Sequence, residues 1–305
     1  MIASIARKEM LEIVRDGRFR WSAAITAFLL LGSLALGWQH HREVSAQHEA
    51  ARRETRQQWL RQGEKNPHSA AHYGVYAFKP RMPLSLVDPG VDPYVGVAAW
   101  LEAHKQNEFK FKPAQDSTAL ARLGELTGST VLQLLIPLVI VLMTFSAFAA
   151  ERELGTLRQL LSLGVKRSDL AWGKALGITY ALAMLLVPAA LIGVAGLALT
   201  SENGSLAQSW SRMGLMICGY MIYFGSFLGV SLAVSARARS SRIALIALLG
   251  FWIFNGLIAP KAFTDIARAM YPTPSALQFA RDVERDLENG MDGHNPADTR
   301  AEALK

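Results

Sequence analysis

The residue types that most often bind metals or carry catalysis are few in this chain and do not form a known motif. All seven histidines fall outside its long apolar runs. His68 and His72 have the i, i+4 spacing that places two metal ligands on one helix face, but Pro67 begins that segment and a third ligand is missing. We interpret both as solvated or structural histidines and predict no metal site.

Motifs of nucleotide binding and hydrolysis are also absent from the sequence. There is no Gly-x-x-x-x-Gly-Lys-[Ser/Thr] loop, whose backbone amides would hold phosphates, so we do not expect this chain to bind ATP by itself. Neither His-Glu-x-x-His nor Gly-x-Ser-x-Gly occurs, which argues against a membrane protease or esterase. The single cysteine, Cys218, excludes an intrachain disulfide. We predict no catalytic and no cofactor-binding residue.

The most informative segment is a basic stretch, residues 151–175, between two apolar runs. Its leucines give a short helix an apolar face: Leu154, Leu157, Leu160, Leu161 and Leu163. Gly164 is expected to end this helix, and Ser168 to cap a second helix that continues into the next apolar run. The pattern predicts a helical hairpin fixed to two membrane helices. A partner that pushes on it would move both helices together.

Apolar runs long enough to cross a membrane dominate the remaining sequence, since about 20 helical residues span a hydrocarbon core of about 30 Å. The runs are Trp21–Trp38, Val131–Ala150, Leu176–Leu199, Met213–Val234 and Ile243–Pro260. None contains an acidic or basic residue, which disfavours a proton-driven carrier. The predicted fold is an all-α polytopic membrane protein with five transmembrane helices.

Lys and Arg in the short loops predict the orientation. The segments before the first run, between the second and third runs, and between the fourth and fifth runs are all basic, and such loops lie in the cytoplasm. The N-terminus is therefore expected to be cytoplasmic, in a bacterial inner membrane, and residues 39–128 and 261–305 to be outside. This topology explains the net charge of +7 by contact with membrane lipid, without a nucleic-acid partner.

Four regions follow from these patterns. They are an amphipathic elbow helix with the first transmembrane helix (1–38), an extracytoplasmic insert (39–128), transmembrane helices two to five with the hairpin (129–260), and the start of a second external segment (261–305). The insert is predicted to be mostly helical. Residues 42–61 should extend the first span as a stalk, Val95–Asn107 should form an amphipathic helix, and Asp88-Pro-Gly and Asp92-Pro should form turns.

The hairpin sequence Glu153-Leu-Gly-Thr-Leu-Arg-Gln-Leu-Leu-Ser, followed by Arg167 and Gly173-Lys174, resembles the coupling-helix motif of permease subunits of type-2 ABC exporters. The resemblance covers residues 130–260 well and 1–35 loosely. It implies a dimer with a second permease copy or paralogue, whose coupling helices dock on cytoplasmic ABC ATPase subunits. ATP and Mg would be bound there. The insert resembles that of a subgroup whose large external insert has no assigned role, through residues 66–74, 83–94 and 102–107.

The resemblance also implies a set of ATPase-coupling residues, namely Glu153, Gly155, Thr156, Leu157, Leu160, Leu161, Gly173 and Lys174. The three leucines would fill a groove on the ATPase, and Gly155 would allow close backbone approach. Glu153 would meet a basic residue of the partner or pair locally with Arg158. For Lys174, anchoring in lipid headgroups is favoured over docking.

Members of the resembled family usually have six spans, whereas this chain offers five. We expect that the sequence is a fragment that lacks the sixth span, the alternative being that this span has been lost. Pro137 and Pro188 permit helix kinks, and five span glycines are expected to allow close helix contact: Gly193, Gly196, Gly219, Gly225 and Gly229. The alternative to an exporter permease is a non-transporting membrane scaffold or sensor whose external loop binds a partner.

Overall fold

The computed structural model describes residues 1–79, 82–103, 109–112, 126–200 and 206–289. The chain divides into two compact units. The first comprises Met1–Glu49, Pro80–Val95 and Pro113–Leu257, and the second comprises Ala50–Lys79, Gly96–Lys112 and Ile258–Lys305.

Five helices are long and apolar enough to cross a membrane. We number these spans in chain order: Gly17–Leu60, Gly128–Glu153, Arg167–Leu199, Trp210–Arg237 and Ser241–Met270. Helices suit this environment because each backbone amide and carbonyl is satisfied within the segment. The predicted all-α polytopic class with five spans is confirmed.

Helix α1 (Ile2–Arg15) is followed, after a break at Asp16, by the 44-residue helix α2 (Gly17–Leu60). Both the predicted elbow helix and the helical stalk beyond the first span are confirmed. Helix α1 does more than lie beside the bundle, because Ala6 is 2% exposed and packs against the third span.

The second unit contains a small antiparallel sheet that the sequence did not indicate. After α3 (Pro67–Ala71), strand β1 (Val75–Phe78) pairs with β2 (Ala98–Leu101), and β2 pairs with β3 (Phe109–Lys110). The prediction of a helix over Val95–Asn107 was therefore wrong; residues 104–108 lie outside the described part. Trp100 faces Tyr76 across the strands at 4.6 Å between ring centroids, and such cross-strand pairs outweigh weak local helix spacing.

Two short helical pieces of the insert belong to the first unit, a 3₁₀ turn (Pro83–Leu86) and α4 (Asp92–Val95). The predicted turn at Asp88-Pro-Gly is present: the Asp88 carboxylate accepts the amide of Gly90 at 2.8 Å, and Gly90 has a φ of 55°.

The second span is interrupted twice. It consists of α5 (Gly128–Thr130), a π-helical turn (Val131–Leu135), α6 (Ile136–Thr144) and α7 (Ala149–Glu153). Side chains of other spans satisfy the backbone at the π turn: the Tyr223 hydroxyl donates to the Gln133 carbonyl at 3.0 Å, and the Trp252 indole donates to the Leu134 carbonyl at 2.9 Å. These contacts fix the second span between the fourth and fifth.

The remaining helices are α8 (Thr156–Ser162), α9 (Arg167–Thr200), α10 (Leu206–Arg237), α11 (Ser241–Ile253), α12 (Ala259–Met270) and α13 (Ala276–Asn289). A π-helical turn, Phe254–Ile258, joins α11 to α12. The fifth span thus stays helical past Pro260, where the sequence analysis placed its end. The main core joins the second, third and fourth spans through Ile136, Ile140, Leu182, Phe224 and Phe227.

Four of the five span glycines do not have the predicted packing role within the described part of this chain. A Cβ added at Gly193, Gly219, Gly225 or Gly229 would meet no described atom within 4 Å, and among the five named above only Gly196 has such neighbours. Two glycines of α9 are packed closely instead. A Cβ at Gly173 would lie 2.6 Å from Ile5 Cβ, and one at Gly177 would lie 2.6 Å from the Ala6 carbonyl oxygen. These two glycines allow α1 to pack closely against α9.

Candidate functional site

The predicted hairpin is present, and glycines define both ends of its short helix. Gly155, with a φ of 76°, precedes α8, and Gly164, with a φ of 83°, follows it. The amide of Val165 donates to the Leu160 carbonyl and that of Gly164 to the Leu161 carbonyl, each at 3.2 Å. This pair of bonds is the Schellman arrangement that ends a helix. Helix α9 then begins at Arg167, so Ser168 lies inside the helix and does not cap it as predicted.

The leucines of the hairpin divide into two sets. Leu157 and Leu160 pack against a buried cluster of the chain's own core, formed by Ala147, Phe148 and Leu170. Leu154 and Leu163 are 77% and 80% exposed, and Leu161 is half-buried. The expectation that Leu157 and Leu160 are free to fill a partner's groove therefore needs correction. The apolar surface available to a partner is formed by Leu154 and Leu163.

Lys174 lies at the centre of a buried ion cluster and is not anchored in headgroups, so the favoured prediction for it was wrong. Its ammonium contacts Glu9 Oε2 at 2.8 Å and Glu151 Oε1 at 2.9 Å, and only 3% of the lysine side chain is exposed. Burial raises the pKa of Glu9 above its ordinary value, and the Lys174 charge opposes that rise. Because an unpaired buried charge is costly, this cluster holds α1, the second span and the third span together.

Arg152 and Glu153, which follow Glu151 in the chain, connect the second span to the fourth and fifth spans. The Arg152 guanidinium donates to the carbonyls of Ala236 and Ala238, where α10 ends. The Glu153 carboxylate accepts the Ser241 amide at 3.2 Å and its hydroxyl at 2.7 Å, where α11 begins. A cation at a helix C-terminus and an anion at a helix N-terminus both match the helix dipole.

Glu151, Arg152 and Glu153 together form what we call the polar clamp. These consecutive residues bind the third span, the fourth span and the fifth span, respectively. Helix α1 joins the same cluster through Glu9, which binds Lys174. The predicted local partner of Glu153, Arg158, is not the one the structure gives it, because the carboxylate is used by Ser241. Glu153 was predicted from the sequence as a site residue, whereas Glu9, Glu151, Arg152 and Ser241 were not. Two acids flanking an arginine directly after an apolar run were the available signal.

Ser235 is a further residue that the sequence analysis missed. It is fully buried on α10, and its hydroxyl accepts the amide of Phe148 at 3.0 Å and donates to the Phe145 carbonyl at 2.9 Å. These backbone groups belong to the break between α6 and α7. The Ser235 hydroxyl thus supplies hydrogen bonds to backbone groups that the helix break, just before the clamp, leaves without helical partners.

The other predicted coupling residues have structural contacts in this chain. The Thr156 hydroxyl donates to the Glu151 carbonyl at 3.2 Å and so fixes the turn into α8. Gly173 is packed under Ile5 of α1. A Cβ at Gly155 would meet no described atom within 4 Å, so within the chain this glycine is explained by its positive φ.

Five apolar helices, four of them tied together at one end by a polar clamp, with a short exposed hairpin at that end, define a multi-pass membrane protein. The family model of the ABC-2 family transporter proteins matches residues 3–284, nearly the entire chain, and the chain belongs to that family. It is accordingly a permease component of an ABC transporter. A comparison with curated proteins gave no match.

Proposed function

We propose that this chain forms the translocation path of an ATP-driven exporter and is coupled by its hairpin to a separate cytoplasmic ABC ATPase. The observation that carries the proposal is the position of the hairpin. It presents two exposed leucines and directly follows the clamp, which connects the second span to the third, fourth and fifth spans. A force applied to α8 would therefore reach most of the bundle.

The exposed side of the hairpin has the composition of a docking surface. Leu154 and Leu163 are its apolar anchors, each contributing about 1.5–3 kcal/mol if a partner buries it fully. Arg158, Lys166 and Arg167 are exposed around them. An ATPase surface with an apolar groove and an acidic rim would complement this pattern.

The hairpin is placed to transmit movement to the clamp, because α8 begins only three residues after Glu153. One side of α8 packs on the core through Leu157 and Leu160. Beside it lies a cavity of about 560 Å³, lined by α1, the start of the first span, the second span and the hairpin, including Glu12, Phe19, Met143 and Leu163. This free volume allows α8 to shift toward α1 while the clamp stays closed.

The proposal places the hairpin and the N-terminus in the cytoplasm of a bacterial inner membrane and most of the insert outside. The basic short loops support this orientation. ATP and Mg would be bound by the partner ATPase, and a second permease copy or paralogue would complete the path.

Co-purification from native membranes tests the proposal. We expect the wild-type chain to retain an ABC ATPase subunit, and the double variant Leu154→Asp, Leu163→Asp to lose it while staying folded, because both side chains are exposed. The matched exposed control is Arg158→Gln with Lys166→Gln, which should weaken retention less. If no ATPase accompanies the wild-type chain under mild extraction, the coupling proposal is wrong and the scaffold alternative gains support.

A further inference from the structure

One segment of the insert is seated among glycines of three different spans. A Cβ added at Gly37 in the first span would collide with the Leu86 carbonyl oxygen. One at Gly128 in the second span would lie 3.0 Å from the Val87 carbonyl oxygen, and one at Gly196 in the third would lie 3.0 Å from Leu86 Cδ2. We call these three glycines the socket, and residues 82–88, which include the 3₁₀ turn, the stopper.

The stopper fits the socket closely. Leu86 is only 4% exposed, although it belongs to a connecting segment. The Ser129 amide donates to the Val87 carbonyl at 3.0 Å, and the His41 ring lies 3.3 Å from the Ser85 hydroxyl. Arg212, near the start of the fourth span, contacts Met82. Four spans therefore converge on one short segment at the end of the bundle opposite the clamp, which we call the insert end.

A buried apolar cluster lies directly below the socket. Its members Leu30, Val131 and Ala189 are at most 8% exposed and come from the same three spans. Leu30 and Ala189 each lie seven residues, or two helical turns, from their span's socket glycine, and Val131 lies three residues from Gly128. The stopper thus covers the point where the first three spans meet.

We propose that the stopper is a removable closure of the insert end, and that it leaves the socket when the path opens there. This inference rests on the proposed transport function. Loops that connect helices normally run over the protein surface, where they do not need glycines in the neighbouring helices to make room for them. Here two buried apolar side chains, Pro83 and Leu86, and a few hydrogen bonds hold the segment, and such contacts are reversible.

The first experiment measures access to the buried cluster without ATP. In a Cys218→Ser background in lipid nanodiscs, Ala189→Cys serves as the reporter, and a charged, water-soluble maleimide as the probe. With Leu86→Ser we expect labelling to become about tenfold faster or more, because a buried leucine contributes at least that factor, whereas Leu86→Met should keep the resting rate. The control reporter is Ala244→Cys, buried in the core near the clamp, and its labelling should not change.

Two outcomes of that experiment would overturn the proposal. If Leu86→Ser leaves the labelling of Ala189→Cys unchanged, the stopper does not close the path. If labelling rises equally at Ala189→Cys and Ala244→Cys, the segment only stabilises the fold.

The second experiment locks the stopper. In the ATPase complex, the pair His41→Cys and Ser85→Cys is oxidised to a disulfide, and mass spectrometry locates the maleimide at the reporter. We expect ATP to accelerate labelling of Ala189→Cys only after reduction of the disulfide. Equal acceleration in the locked and reduced complexes would overturn the proposal. Failure of the proposed function is separately visible, because no ATPase would then be present in the preparation.

Discussion

The two ends of the helical bundle are held together by different chemistry. At the end that carries the hairpin, charged side chains bind helix termini and one another, with the Lys174 ammonium enclosed by two carboxylates. At the insert end, three glycines of different spans pack against the stopper, in which Leu86 is buried.

The difference indicates which end is built to move. Separating Lys174 from Glu9 and Glu151 would leave buried ions without partners, so that end is expected to shift as one body. Withdrawing Leu86 exposes one apolar side chain and a few backbone groups, which costs much less. Under the proposed function, force is applied at the hairpin end and the path opens at the insert end, and this asymmetry would favour that sequence of events.

The largest expected effect follows from removing the cation of the clamped end. Lys174→Met leaves Glu9 and Glu151 buried without their partner and should lower the free energy of unfolding by about 3–5 kcal/mol. SDS-titration unfolding in mixed micelles measures it. Lys166→Met, at an exposed lysine of the same hairpin, is the matched control and should change little. Adding Glu9→Gln and Glu151→Gln to Lys174→Met should recover much of the loss.

The next largest effect is expected at the insert end, where adding a methyl group to a socket glycine tests the close packing of the stopper. Gly37→Ala pushes a Cβ against the Leu86 carbonyl, and overpacking of this kind costs about 1–3 kcal/mol. Gly225→Ala has no described neighbour within 4 Å and should stabilise its helix by about 0.5–1 kcal/mol. The same unfolding titration compares them. Equal effects at both glycines would show that the socket does not depend on close approach.

A smaller effect is expected at the link to the fifth span. Glu153→Ala removes the acceptor for the first amide of α11 and should cost about 0.5–2 kcal/mol. In a double-mutant cycle with Ser241→Ala, the two losses should not fully add, because both variants remove the bond between the Ser241 hydroxyl and the Glu153 carboxylate. The pair Glu153→Ala and Ser162→Ala, which shares no contact, should be additive. Additivity in both cycles would show that Glu153 does not interact with Ser241 and so does not belong to the clamp.

Local signals were sufficient for most of the helical framework. The five spans, α1 and α8 were predicted because apolar runs, helical periodicity and the glycine at 164 act over a few residues. The strand β2 was missed because its four residues are stabilised by a partner strand twenty or more positions earlier, and nothing within them distinguishes a strand from a helix.

The site was predicted in position but only partly in role. Glu153, Thr156 and the hairpin leucines were found, yet Lys174 was assigned to headgroups because its partner Glu9 lies 165 residues away. The division of the leucines into packed and exposed sets depends on which face meets Phe148 and Leu170. Similarly, a sequence shows that Gly37 is small but not that Leu86 lies against it.

The most direct test of the account asks what touches the exposed face of the hairpin in the native membrane. In a Cys218→Ser background, Leu163→Cys is treated with a short thiol cross-linker, and Leu199→Cys, 79% exposed at the other end of α9, is the control. The account predicts that Leu163→Cys is joined to an ABC ATPase subunit and that Leu199→Cys is not. Efficient labelling of Leu163→Cys without any ATPase adduct, in membranes that contain the ATPase, would contradict it.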